Sequence, residues 1–188
     1  MISTLESPSA LIVIDLQKGV LSLPLASPTE PVLHNTRILL DAFRRRQWPC
    51  VIVTVHGAAP GRNDLQRPST PHPADWAEPD SMLNVQPSDL LIHKNAWGAF
   101  SHTSLHAQLQ AFKIRQIVLT GIATSLGVES TARTAFELGY HVTLVTDAMT
   151  DLNPESHEHS CTRIFPRLGE TGTTQDVLSM LAQVAPCV

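Results

Sequence analysis

The sequence predicts an α/β fold of three layers, with about six mostly parallel strands and helices on both faces of the sheet. Three observations carry this. Short apolar runs recur at residues 10–14, 50–55, 116–119 and 141–146 without polar alternation, as strands buried on both faces require. Helical patterns separate these runs. Residues 116–151 read as strand, small-residue turn, helix, strand, and such a βαβ unit needs parallel neighbours.

Composition bounds the rest. At 188 residues, 43% hydrophobic and 16% charged, the chain is expected to form one domain, 1–188, with a substantial core. The formal charge is −4 and no basic stripe is present, so nucleic acid and anionic membranes are excluded as expected partners. Apolar runs are about strand length, too short for a transmembrane helix. The N-terminus has no positive region ahead of a long apolar core, so no secretory signal is expected. Cys50, Cys161 and Cys187 lack metal-like spacing, and their odd number argues against a disulfide framework. A reduced, cytoplasmic setting with thiols buried as small hydrophobes is the expectation.

Taken in order, the first strand ends at Asp15, a carboxylate that is costly beside so apolar a run unless partnered. A loop over 16–29 holds Pro24 and Pro28, and a helix over 30–47 closes on Arg44, Arg45 and Arg46, where cations suit the dipole. The second strand, 50–55, ends at His56. Residues 57–88 form the least regular stretch, with six prolines, His72 and Trp76; a loop this long is usually a lid, a pocket wall or a subunit contact. A third strand, 89–93, delivers Lys94, followed by Trp97 and Phe100, with Ser101 or Thr103 expected to cap a helix reaching Phe112. The fourth strand is 116–120. The helix over 125–138 places Val128, Ala132, Ala135 and Gly139 on one small-residue face. A strand over 141–146 ends in Asp147. A helix over 154–164, a short sixth strand over 168–173 and a closing helix over 174–184 complete the chain.

Parallel strands thus bring Asp15, Lys94 and the turn Thr124–Gly127 to one sheet edge, where open α/β sheets place their chemistry and where a helix N-terminus favours negative charge. The motifs IVIDLQ, HKNAWGAF, GIATSLGVESTAR and TDAMTD, in this order, resemble the isochorismatase-like hydrolase superfamily, relatives of the cysteine hydrolases. The resemblance spans roughly residues 10–151 and implies a Rossmann-like parallel sheet. It also implies that Asp15 and Lys94 are catalytic, and that Gly127 stands where most members carry a nucleophilic cysteine. A cis peptide at Ile122–Ala123 is implied as well. That bond would aim the N–H groups after it at a substrate oxygen in the manner of an oxyanion hole, making Ile122, Ala123, Thr124 and Ser125 substrate-binding. Gln17 falls within the first motif and is carried over as substrate-binding.

Without a thiol at 127 the thioester route is closed; Ser125 and Ser130 are substitutes off the nucleophile position. True isochorismatases also resemble this chain in having Gly there, and a vinyl ether can be hydrolysed by protonating its methylene carbon and adding water. On that reading Asp15 is the general acid, raised by burial, and Lys94 orients it and holds a substrate carboxylate. The expected substrate is a small, carboxylate-bearing metabolite. One alternative is an amide hydrolase in which Asp15 activates water; another is a catalytically silent metabolite-binding relative. No cofactor is expected. No metal is expected either, because the Asp-x-His pair of the nicotinamidase branch reads Thr54-Val55-His56 here. His56 then contacts substrate or caps its strand, and Trp97 and Phe100 line the pocket or pack in the core. His157 and His159 are exposed or near the site. The resemblance implies a homodimer or homotetramer.

Overall fold

The computed structural model describes residues 2–64 and 72–184. Its elements are β1 (Ala10–Ile14), α1 (Lys18–Leu21), α2 (Thr29–Arg45), β2 (Cys50–Val55), β3 (Leu90–Lys94), α3 (Leu105–Ala111), β4 (Gln116–Ile122), α4 (Glu129–Glu137), β5 (His141–Thr150), α5 (Pro154–His159), α6 (Phe165–Leu168), β6 (Glu170–Gly172) and α7 (Thr174–Gln183). A 3-10 turn at Ser81–Leu83 and π turns at Thr124–Val128 and Ser160–Ile164 join them. The six strands form one sheet in the order β3-β2-β1-β4-β5-β6, every pair parallel.

Alternating residues of the central strands feed two cores, as period-2 geometry demands. Leu11, Val13 and Ile52 pack with Leu39, Phe43, Val177 and Leu181 under α2 and α7. Ile12, Ile14 and Val53 pack with Leu105, Leu109, Ala132, Ala135 and Phe165 under α3, α4 and α6. Strands so placed are apolar on both faces, which is why their sequence shows runs without alternation. The small-residue face foreseen on α4 packs there through Val128, Ala132 and Ala135.

The expected loop over 16–29 contains α1, the helix expected from Ser101 or Thr103 starts at Leu105, and the sixth strand shortens to Glu170–Gly172. Three further boundaries differ from the sequence reading. The helix over 125–138 begins as the π turn and becomes α-helical only at Glu129. The helix over 154–164 is interrupted by a second π turn and resumes as α6. β5 runs to Thr150, four residues past the expected end, because its pairing with β4 breaks between Leu119↔Leu144 and Gly121↔Met149. β4 advances two residues there while β5 advances five, and the bulged residues hide the strand's continuation. Asp147 sits within the bulge, where Oδ1 accepts hydrogen bonds from Thr174 N (2.7 Å) and Thr174 Oγ1 (2.9 Å) at the start of α7. Residues 65–71 of the long loop, and Cys187, lie outside the described residues.

Gly121 pairs with Ile14 at the C-terminal ends of β4 and β1. Its φ is 122°, and an added Cβ would fall 2.0 Å from Ile14 O. Gly139 also has positive φ (84°), but its Cβ would meet nothing within 4 Å. Gly121→Ala should therefore destabilise the protein by about 3 kcal/mol or more, and Gly139→Ala by only about 1 kcal/mol, in urea unfolding. Equal costs would show that backbone strain alone, without the collision at Ile14, sets the requirement.

Candidate active site

Sheet order sets the ends of β3, β2, β1 and β4 side by side, so Lys94, His56, Asp15 and the turn after Ile122 line one edge. Asp15 leaves β1 with φ 52° and is 6% exposed. Its Oδ2 accepts a hydrogen bond from Lys94 Nζ at 2.7 Å, while its buried Oδ1 has no hydrogen-bond partner. Burial disfavours the charged carboxylate and pushes its pKa up to about 6, against the opposing pull of Lys94.

Lys94 is itself 2% exposed. Besides Asp15, its ammonium donates to Ala96 O (3.2 Å) and Trp97 O (2.7 Å). An ammonium has three donors, and these three acceptors use them all. Lys94 therefore fixes Asp15 and the Ala96–Trp97 loop, leaving no donor for a substrate carboxylate.

Gly127 closes the other side. A Cβ built there would lie 3.0 Å from Ile14 Cγ2, 3.2 Å from Asp15 Oδ2 and 3.3 Å from Ile122 O. Its backbone thus sits directly against the Asp15 carboxylate, and any side chain would need neighbours to shift. Thr131, one turn on, donates Oγ1–H to Gly127 O (2.7 Å) and accepts from Ala99 N (3.0 Å), tying the loop after Lys94 to α4. Sequence reasoning did not single out Thr131; Thr at i+4 commonly bonds back to its own helix, but nothing local points to Ala99.

The peptide Ile122–Ala123 is cis. Thr124 Oγ1 donates to Thr150 O (3.0 Å), so at His157 Nδ1 (2.8 Å) it accepts, which makes that ring nitrogen the protonated one. Ser125 N donates to Asp151 Oδ2 (2.6 Å). Gln17 is fully buried. Its amide donates to Val55 O (2.9 Å) and Trp76 O (3.3 Å) and accepts from Val55 N (2.7 Å), pinning the long loop to β2. His56 follows β2, its N–H bonded to Lys94 O (2.8 Å), and its Nε2 shares the Thr54 hydroxyl (3.0 Å) with His93 Nδ1 (2.9 Å). Desolvation, then His93, lowers the His56 pKa.

The two aromatic candidates separate. Trp97 is 63% exposed and, with Ala59, Ser101, Ser130 and Thr134, borders a cavity of about 380 Å³. Phe100 instead stacks on Tyr140 (5.9 Å) and packs against the core beneath α3 and α4. Burial pushes Cys50 up to about 12, and burial with Glu158 and Asp151 pushes Cys161 up to about 11. Among the described residues, no group of three or more His, Cys, Asp or Glu side chains is placed to hold a metal ion. No described helix is long and apolar enough to cross a membrane.

Residues 9–176 match the isochorismatase domain model. The chain belongs to the isochorismatase family. This hydrolase is 40% identical to the isochorismatase family protein YwoC of Bacillus subtilis over 184 residues, 92% of this chain and 94% of that protein. An isochorismatase family protein from Burkholderia thailandensis superposes with a TM-score of 0.91 at 38% identity, covering 95% of this chain and 98% of that one. Nicotinamidase 3 of Arabidopsis thaliana is 30% identical over 164 residues, 80% of this chain and 77% of that protein.

Lys94→Met would remove both influences that hold the Asp15 pKa down. The Asp15 carboxyl should then titrate above its value of about 6 by ¹³C NMR in the folded variant. An Asp15 carboxyl that titrates unchanged in Lys94→Met would show that Lys94 does not hold its pKa down.

Proposed function

We propose that this protein hydrolyses a small metabolite with water as the nucleophile and Asp15 as the group that moves the proton, forming no covalent intermediate on residue 127. The observation that carries this reading is the glycine at 127, packed against an Asp15 carboxylate raised to about 6. A carboxyl that titrates near neutrality can give or take a proton at useful rates.

As a general acid, protonated Asp15 transfers its proton to the methylene carbon of a vinyl ether. Water adds to the oxocarbenium carbon and returns a proton to Asp15, and the hemiketal collapses to a ketone and an alcohol. In the second reading, ionised Asp15 takes a proton from water, hydroxide adds to an amide carbonyl, and the proton passes to the leaving nitrogen. Similarity to a nicotinamidase supports this second reading, as does the absence of a spare Lys94 donor for a carboxylate.

Asp15→Asn, with folding verified by circular dichroism, should lower kcat/KM by about 10²–10⁴-fold. Substrate is found by incubating both proteins with a metabolite extract and following losses by mass spectrometry; unchanged turnover in the variant would remove Asp15 from the mechanism. The pH profile then separates the roles: a general acid loses activity as pH rises through about 6, and a general base gains it. Pyruvate or another ketone would accompany the first outcome and ammonia or an amine the second. Wild-type activity should also survive iodoacetamide, since no thiol takes part.

A further inference from the structure

We infer that His157 is a positioning residue: from α5 it holds the turn Thr124–Val128, and with it the Gly127 backbone, in place against Asp15. The inference rests on the reading of Asp15 and that turn as the working site. It adds a role for a side chain on a helix that supplies nothing to the sheet edge itself.

The turn is tied to the segment after β5 at three places. Thr124 Oγ1 meets His157 Nδ1 (2.8 Å), Ser125 N donates to Asp151 Oδ2 (2.6 Å), and Glu129 Oε2 accepts from Ser160 Oγ (2.6 Å). The first contact has a fixed direction. Thr124 is fully buried and spends its one hydroxyl proton on Thr150 O (3.0 Å), so from the imidazole it can only accept. His157 therefore carries a proton on Nδ1 and, when neutral, leaves Nε2 bare. Cys161 Sγ stands 3.7 Å from that Nε2, and its thiol, pushed up to about 11, keeps the proton it donates there. A one-way chain thus runs from Cys161 through His157 and Thr124 to the backbone of β5.

Thr124 opens the π turn, and Gly127 is its fourth residue. Leu126 N and Val128 N both donate to Ala123 O (3.1 and 3.2 Å), so the turn closes on itself, and the side-chain contacts at Thr124 and Ser125 tie its start to the neighbouring elements. Loss of the imidazole leaves the buried Thr124 hydroxyl without its donor and cuts the link to α5. A shift of about 1 Å in a group facing the reacting atoms can cost about 10²-fold in rate.

Three variants test this, because asparagine presents an amide N–H near the place of Nδ1, glutamine near that of Nε2, and alanine none. In His157→Ala, hydrogen exchange at the Ser125 and Val128 amides should quicken about tenfold or more, with Val118 and Leu119 in β4 unchanged. His157→Asn should restore the wild-type rates to within about threefold, and His157→Gln should not. Thr124→Val should quicken the same amides, and His157→Ala added to it should change nothing further. In the wild-type protein, ¹⁵N shifts of the His157 ring should show Nδ1 protonated. A ring protonated on Nε2 alone, quickening spread equally through β4, or rescue by glutamine as good as by asparagine overturns the inference. Turnover of the extract component found with wild-type protein should fall about tenfold or more in His157→Ala and recover in His157→Asn; undiminished turnover in His157→Ala also overturns it. Wild-type protein that turns over nothing would remove the proposed function, while the exchange and ring-shift results still decide whether His157 holds the turn.

Discussion

The desolvated pair of Asp15 and Lys94 is the constraint around which this edge of the molecule is built. A carboxylate and an ammonium can both be taken from water only if each keeps its hydrogen bonds, and removing either partner leaves a costly unpaired charge. The protein meets that condition on one side only. Lys94 has every donor satisfied, whereas Asp15 has one oxygen satisfied and one left bare. The asymmetry is built into the pair: the cation is held by three acceptors, and the function proposed above draws on the carboxylate with its one unsatisfied oxygen.

Neighbouring features serve that arrangement. Gly121 lets β4 come close enough to β1 for the turn to reach Asp15, and Gly127 lets the turn's backbone lie against the carboxylate. Thr131 joins Gly127 to Ala99, so the loop that caps Lys94 and the turn that faces Asp15 are held by one hydroxyl. Gln17, two residues past Asp15, secures the long loop to the end of β2 with three backbone bonds. Short polar side chains bonded to backbone give a preorganised wall at small entropic cost.

Much of this was legible in the sequence. Continuous apolar runs identify strands buried on both faces, and parallel topology then forces their C-terminal residues onto one edge, which is how Asp15 and Lys94 could be paired across 79 residues. Where the reading stopped short, tertiary contacts had overruled local pattern. The bulge in β5 inserts an odd number of extra residues, so Val145 and Ala148 face one core while Leu144 and Met149 face the other. That phase flip erases the period-2 signal at Thr146, and read from sequence alone the strand ends there. The fate of Lys94's donors could not be read either, because two of its partners are carbonyl oxygens, which every residue has.

Thr54 has a consequence of its own. It offers one hydroxyl proton to two imidazole nitrogens, His56 Nε2 and His93 Nδ1. The hydroxyl can donate to one ring and accept from the other, or accept from both, but it cannot donate to both. The two nitrogens are therefore never bare together, and of four conceivable tautomer combinations one is forbidden. Two rings 4.5 Å apart, at the ends of adjacent strands, thus have their tautomers coupled through one hydroxyl instead of chosen independently.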